Sequence, residues 1–467
     1  MQRKMKHAMA IVGALVMIAA GPRVGAETLT DALIAAYKTS ALLEQNRAVL
    51  RAADEDVAIE VSSLRPVISF LSQATFFSRN NTLISPGLFQ KQVQETSSLS
   101  GAMQVSAEVT LYDYGRTRLA IEAAKETVLA TREGLVNFEQ RVLLQAVAAY
   151  MNVRSRIEFV LLRQRNVRVI ERELRAAQDR FEVGEVTRTD VALAEAQLAA
   201  ARSNLAAAEG DLAVAREDYK AAIGNYPGTL APPPASPSTA ASVAAAKAVA
   251  ERTHPLIRQA QRSVTVADLN VARAQAARGP SVTAGVVLGL DDNRAVSQQG
   301  QLTYRQTLYA GGQLVAVLRK ARANAEAQRA QLHSTVIGVQ QDVGTAWAQL
   351  AVARAQINAS DRQIAAAQIA FDGVKEEATL GARTTLDVLD AEQSLLDAEV
   401  NRIVAENTRY VAVYSLLSAM GLMTVDHLKL GIPTYDPAAH YNAVKSAPAF
   451  STQGEKLDRV LQSIGKN

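Results

Sequence analysis

Val183-Gly184-Glu185-Val186-Thr187-Arg188-Thr189-Asp190-Val191 is written a second time, as Leu380-Gly381-Ala382-Arg383-Thr384-Thr385-Leu386-Asp387-Val388, 197 positions later. Each copy reads as a helix that stops and restarts. Gly184 and Gly381 suit the left-handed position past a helix end. Thr187 or Thr189, and Thr384 or Thr385, can cap a returning helix. Working outward, the same spacing carries Leu111, Tyr112 and Gly115 onto Leu308, Tyr309 and Gly312, and Gly224 onto Gly421. Upstream, Leu42 and Pro66 match Leu256 and Pro280 at a spacing of 214. The change of spacing falls between Pro66 and Leu111 and predicts one solvent-facing loop of unequal length in an otherwise fixed framework.

The chain is thus expected to be internally duplicated, mainly α with a small β part. Residues 27–226 form a first repeat: a helix over about 30–64, a β-hairpin over 66–111, a long helix over 113–182, an elbow, and a helix over 187–223. Residues 241–423 form the second: a helix over about 241–278, a hairpin over 280–309, a long helix over 313–380, an elbow, and a helix over 385–420. Between them, 227–240 holds five of the 13 prolines and reads as an extended linker. Residues 424–467 are a tail. Proline is absent from 87–226 and from 281–432, which leaves both long helices unbroken.

Residues 99–111 alternate, with Leu99, Met103, Val105, Val109 and Leu111 opposite Ser100, Gln104, Ser106, Glu108 and Thr110. Residues 281–290 do the same, and their partners, 67–77 and 301–309, less cleanly. This is the pattern of a tilted barrel strand. It is equally the pattern of a soluble hairpin half-buried against a helix. In the first long helix, Leu135, Phe138, Val142, Ala146, Ala149, Val153, Ile157 and Val160 repeat every 11 residues. That period keeps packed helices nearly straight. Seventy helical residues rise roughly 105 Å, so an elongated object is expected.

Composition narrows the class. Arg3, Lys4 and Lys6, the apolar run Ala8 to Ala20, and Val24-Gly25-Ala26 read as a secretory signal peptide over 1–26. Its removal takes four basic residues and no acid from a total of 50 basic and 46 acidic, leaving a neutral mature chain with no electrostatic case for nucleic acid. Cysteine is absent, which excludes disulfides, thiolate metal sites and thiol nucleophiles. No later stretch is apolar enough for a transmembrane helix, so entry into a membrane would require a closed barrel. Four strands cannot close one; a dimer supplies eight and a trimer twelve.

The duplicated plan, the two glycine elbows and Leu386-Asp387-Val388-Leu389-Asp390-Ala391 resemble the TolC-type outer-membrane efflux and secretion proteins, over about 29–423. That resemblance implies a homotrimer with a 12-stranded barrel in outer-membrane lipid, continuous with a long periplasmic α-helical tunnel. It implies an exit duct for drugs or type I secreted proteins, docked to a periplasmic adaptor and an inner-membrane pump, in a Gram-negative cell. An alternative is a periplasmic structural or adaptor coiled coil that never enters the membrane.

Asp387 and Asp390, three apart, share a helix face. Acids in a first helical turn have an ordinary reading as partners of the helix dipole. The resemblance instead makes them stacked carboxylate rings at the channel constriction, attracting cations. By resemblance, Arg383 is a gating latch toward Asp190 and Thr189; its ordinary reading is a weak surface ion pair. Ala378 stands where the family has a tyrosine that strengthens this latch. Val183, Gly184, Glu185, Leu380, Gly381 and Ala382 match the family's adaptor-contact tips. No catalytic, metal or cofactor motif is present, and His254, His333, His427 and His440 lack ligand spacing.

Overall fold

The computed structural model describes residues 26–84, 91–291, 295–446 and 459. The signal peptide expected over 1–26 lies outside them except for Ala26, as does most of the tail beyond 446. The described elements are α1 (Leu29–Thr39), α2 (Ala41–Ser62), β1 (Val67–Ile84), β2 (Lys91–Tyr112), α3 (Arg116–Glu182), α4 (Arg188–Ile223), α5 (Val243–Thr253), α6 (Pro255–Ala276), β3 (Ser281–Asp291), β4 (Val296–Arg305), α7 (Gln313–Thr379), α8 (Thr385–Ala419) and α9 (Pro437–Val444). None of these helices is long and apolar enough to cross a membrane.

Where the sequence predicts one helix at the start of each repeat, the structure has two. Ser40 separates α1 from α2 in an extended conformation (ψ 110°). His254 separates α5 from α6 because it precedes Pro255, whose ring pushes the preceding residue out of the helical region. The His254 ring nitrogen then accepts from the Leu256 amide at 3.2 Å, capping α6.

The chain folds as two compact units, and each long helix contributes a stretch to both. The first unit comprises the chain up to Ala41, Glu139–Ala246 and Asp342–Ile432. Within it, Val142, Ala146, Ala149, Val153 and Val160 of the 11-residue series are buried on α3. Leu143, Val147, Tyr150 and Met151 are buried too, so the apolar face is wider than a single seam. The proline-rich linker is not free. Ala231 accepts the Tyr150 hydroxyl at 2.7 Å and Arg154 at 3.2 Å, and Pro234 accepts the Tyr410 hydroxyl. Glu27 joins the linker through a parallel bridge to Leu230, and its carboxylate takes the buried Tyr219 hydroxyl at 2.7 Å.

The second unit (Leu42–Phe138, Lys247–Gln341 and the chain from Pro433) carries a four-stranded antiparallel sheet in the order β1-β2-β3-β4. Its register sorts the side chains. Phe70, Val105 and Leu288 stand opposite one another, as do Ile68, Ala107 and Val286, then Val109, Ala284 and Leu302. On the other face Ser69 and Ser106 continue through Val287 to Gln299, and the neighbouring row runs through Gln104 and Gly289 to Ser297, so that face is mostly polar or small. The weak alternation of β1 has a simple origin: Leu71 and Phe77 fall on the polar face, opposite Gln104 and Ser98. Gln298 similarly interrupts the apolar face of β4.

Two expectations change here. The fourth strand occupies 296–305, not 301–309, and 306–309 is not strand. The added length between Pro66 and Leu111 is not merely a longer loop. β1 and β2 continue paired from Thr75↔Ser100 to Ile84↔Lys91, past the β2–β3 ladder, which starts at Ala102↔Asp291. The extra backbone groups are thereby satisfied against each other.

Candidate functional site: the paired elbows

Both elbows lie in the first unit and share one local geometry. α3 ends with the Glu185 amide donating to Arg180 O at 2.9 Å and the Gly184 amide to Phe181 O at 3.0 Å. α7 ends with Ala382 to Glu377 O at 2.9 Å and Gly381 to Ala378 O at 3.2 Å. This six-to-one closure needs a left-handed residue, and Gly184 (φ 82°) and Gly381 (φ 75°) supply it.

Restart is equally repetitive. Thr187 and Thr384 are the caps of α4 and α8. The Asp190 carboxylate accepts from the Thr187 amide at 2.9 Å and hydroxyl at 2.8 Å, while the Asp190 amide donates back to that hydroxyl at 3.3 Å. Asp387 repeats this with Thr384 at 2.9, 2.9 and 3.2 Å. The threonine amides, then the hydroxyls, hold both carboxyls below their ordinary range, and the Arg383 charge adds a smaller effect at Asp387. Both are therefore carboxylates at neutral pH. Asp390, one turn further, is exposed.

Arg383 Nε donates to Glu377 Oε2 at 2.9 Å across its own elbow. Asp190 and Thr189 are not bonded to it among the described residues. Arg383, Asp190, Thr187, Asp387 and Ala378 nonetheless line one cleft of 520 Å³ between the elbows; Thr189 sits exposed on the first turn of α4, outside that lining. At the first elbow, the positions equivalent to Glu377 and Arg383 are Arg180 and Val186, so the ion pair exists at one elbow only. Ala378 is buried among Val169, Phe371, Val388 and Leu395. The tips are apolar and bare: Val183 is 72% exposed and Leu380 80%. Gly184, Glu185 and Ala382 are exposed beside them.

Behind the elbows, Val167 and Ile170 of α3 pack with Ala194 and Leu198 of α4 and Leu389 of α8. Val169 faces α7 and α8 instead. One polar contact crosses this core: Asn166 Nδ2 donates to Glu392 Oε1 at 3.2 Å, both side chains buried. Burial pushes the Glu392 carboxyl up, with the Asn166 bond and the charges of Arg165 and Lys375 opposing it. No sequence signal pairs Asn166 with Glu392. The Arg383–Glu377 bond, in contrast, follows from six-residue spacing around a closed turn.

A β-hairpin, paired helices and an elbow recur in each half of the chain, and the comparisons assign it to the outer-membrane efflux channels, passive transport proteins and not enzymes. The outer membrane efflux protein family model matches residues 34–225 and 248–422, and the chain belongs to that family. It is 36% identical over 430 residues to the outer membrane efflux protein BepC of Brucella suis biovar 1 (strain 1330), covering 90% of this chain and 91% of that protein. It is 27% identical over 348 residues to outer membrane protein TolC of Salmonella enteritidis, covering 67% and 71%. Its fold matches the Campylobacter jejuni CmeC outer membrane channel with a TM-score of 0.73 at 16% identity, over 90% and 89% of the two chains. The family places the chain in a Gram-negative outer membrane.

Proposed function

We propose that three copies of this chain form an exit duct, and that the carrying observation is the sheet. It has one apolar face, and β1 and β4 each lack a neighbour on their outer side among the described residues. In lipid, such edges leave backbone groups unsatisfied at several kcal/mol each. Pairing β4 of one copy with β1 of the next removes every edge, and three copies give twelve strands. The helical elbows and the tail 424–467 then lie in the periplasm. The duct carries drugs, other small molecules or type I secreted proteins delivered by an inner-membrane pump through a periplasmic adaptor. The adaptor grips the bare tips, Val183-Gly184-Glu185 and Leu380-Gly381-Ala382.

The duct is gated at these elbows. Asp387 and Asp390 from three copies form acidic rings at the periplasmic constriction. Arg383 holds the closed state by reaching Asp190 or Thr189, exchanging its Glu377 partner to do so. Planar-bilayer recording tests this. The mature chain is expected to insert as a detergent-extracted trimer and open cation-preferring pores. Substituting both Asp387→Ala and Asp390→Ala should abolish cation preference and multivalent-cation block. Arg383→Ser should raise conductance. A monomer that needs no detergent and opens no pore contradicts the whole reading, whereas unchanged selectivity in the double variant contradicts only the constriction.

A further inference from the structure

The C-terminal segment is packed against α2 and α3 of the second unit around a fully buried carboxylate. Asp54 of α2 has 0% exposure. Its Oδ2 lies 3.1 Å from His440 Nδ1 on α9, and its Oδ1 has no hydrogen-bond partner among the described residues. The other ring nitrogen of His440 lies 3.6 Å from Glu55 Oε1, so one imidazole spans two carboxylates. α3 supplies Arg132, whose guanidinium sits 5.3 Å from the Tyr441 ring centroid and whose buried Nε has no hydrogen-bond partner among the described residues. Arg47 stacks over Tyr435 at 5.3 Å, and Arg51 bonds the Tyr435 hydroxyl. The two tyrosines pack on the cluster of Leu50, Val57 and Val128. Arg65 donates to the Ser446 carbonyl. Asp436 on the tail is spent capping α9, and Lys445 bonds Asn442 at 2.9 Å.

We propose that the segment 435–446 is a proton-linked clasp: it docks on α2 and α3 when the Asp54–His440 pair holds a proton between carboxylate and ring beyond the neutral ring's own, and loosens when that proton leaves. A neutral imidazole has one N–H and can serve one carboxylate. A protonated ring donates from both nitrogens, to Asp54 and Glu55 together. If the proton resides on Asp54 instead, it relieves the cost of an ionised oxygen sealed away from water. Both routes have the same sign. Burial pushes the Asp54 carboxyl up, with the His440 bond and charge and then the Arg132 charge opposing. A carboxyl raised in the docked state binds its proton more tightly there, so docking strengthens as pH falls and is lost as pH rises through the docked value.

The absence of cysteine makes a direct test possible. Ala439→Cys on the exposed side of α9 takes a single spin label in the full mature chain. Its rotational mobility is recorded at pH 5.5 and pH 7.5, with far-UV circular dichroism checking that the helices persist. The mobile fraction is expected to rise about tenfold over that interval, one logarithmic unit of docking equilibrium. Asp54→Asn in the labelled chain should reduce the change to within about twofold, because no charge remains to be sealed. His440→Gln is the second arm: it leaves the buried Asp54 carboxyl and removes the ring that opposes its protonation, so a change kept there but lost in Asp54→Asn puts the proton on Asp54, and a change lost in both puts it on the pair. Equal mobility at both pH values in the parent, or a tenfold change that survives Asp54→Asn, overturns the clasp.

Discussion

At the scale of single residues, Asp387 carries two readings that turn out to be compatible. Its carboxylate closes a reciprocal cap with Thr384, the arrangement Asp190 makes with Thr187. A cap explains why an acid stands there without any channel. It also fixes the charge: the bonds that close the cap keep the carboxylate ionised, which an acidic constriction requires. Glu392 is the opposite case. It is buried, its carboxyl is pushed up, and a raised carboxyl contributes stability at low pH that is lost as pH rises through its folded value. Glu392→Gln keeps the acceptor for Asn166 and removes the charge. The variant should therefore unfold at a higher temperature than the parent at pH 8, with the difference shrinking toward pH 5. Thermal unfolding followed by circular dichroism at the two pH values checks it.

At the scale of elements, the joint between α1 and α4 is tightly specified. α4 ends at Gly224, whose φ is 100°, and a Cβ there would lie 2.7 Å from Thr39 Oγ1. That hydroxyl is already donating to Ile223 O at 2.7 Å and cannot step aside without losing the bond. Gly224→Ala thus meets both a left-handed backbone and a steric block, and should cost about 2 kcal/mol. Chemical denaturation followed by circular dichroism measures it. Gly184→Ala, with a comparable φ but nothing within 4 Å of the added carbon, should cost less. The two helices that open each repeat show what periodicity overlooks. The Pro255 ring was visible in the sequence and sufficed to end α5, whereas nothing local in Ser40 demands the break after α1.

For the whole molecule, the decisive property is the unequal chemistry of the two sheet faces. Leu288 sits in the middle of the apolar face, between Val105 and Gln298. Placing arginine at such a position in a membrane barrel costs about 2–4 kcal/mol at mid-depth. Leu288→Arg should deplete the protein from the outer-membrane fraction, while Gln299→Arg, on the opposite face, should leave its abundance near that of the parent. Fractionation and immunoblotting separate the two outcomes, and equal loss in both would argue against the barrel.

The sequence by itself determined the duplication, the helix stops at Gly184 and Gly381, and the alternation of β2 and β3, because each depends on residues adjacent along the chain. Spacing put Asp387 and Asp390 on one helix face, whereas Arg383, Asp190 and Thr189 were singled out only by the family resemblance. Tertiary structure alone decided what depends on partners far apart in the chain. It revealed the extension of β1 and β2 into a ribbon, the placement of Leu71 on the polar face, the docking of the linker on Tyr150, and the burial of Asp54 beneath His440. Periodicity records which face a side chain occupies in its own element. Which neighbour covers that face is set by packing between segments hundreds of residues apart, and no local pattern encodes it.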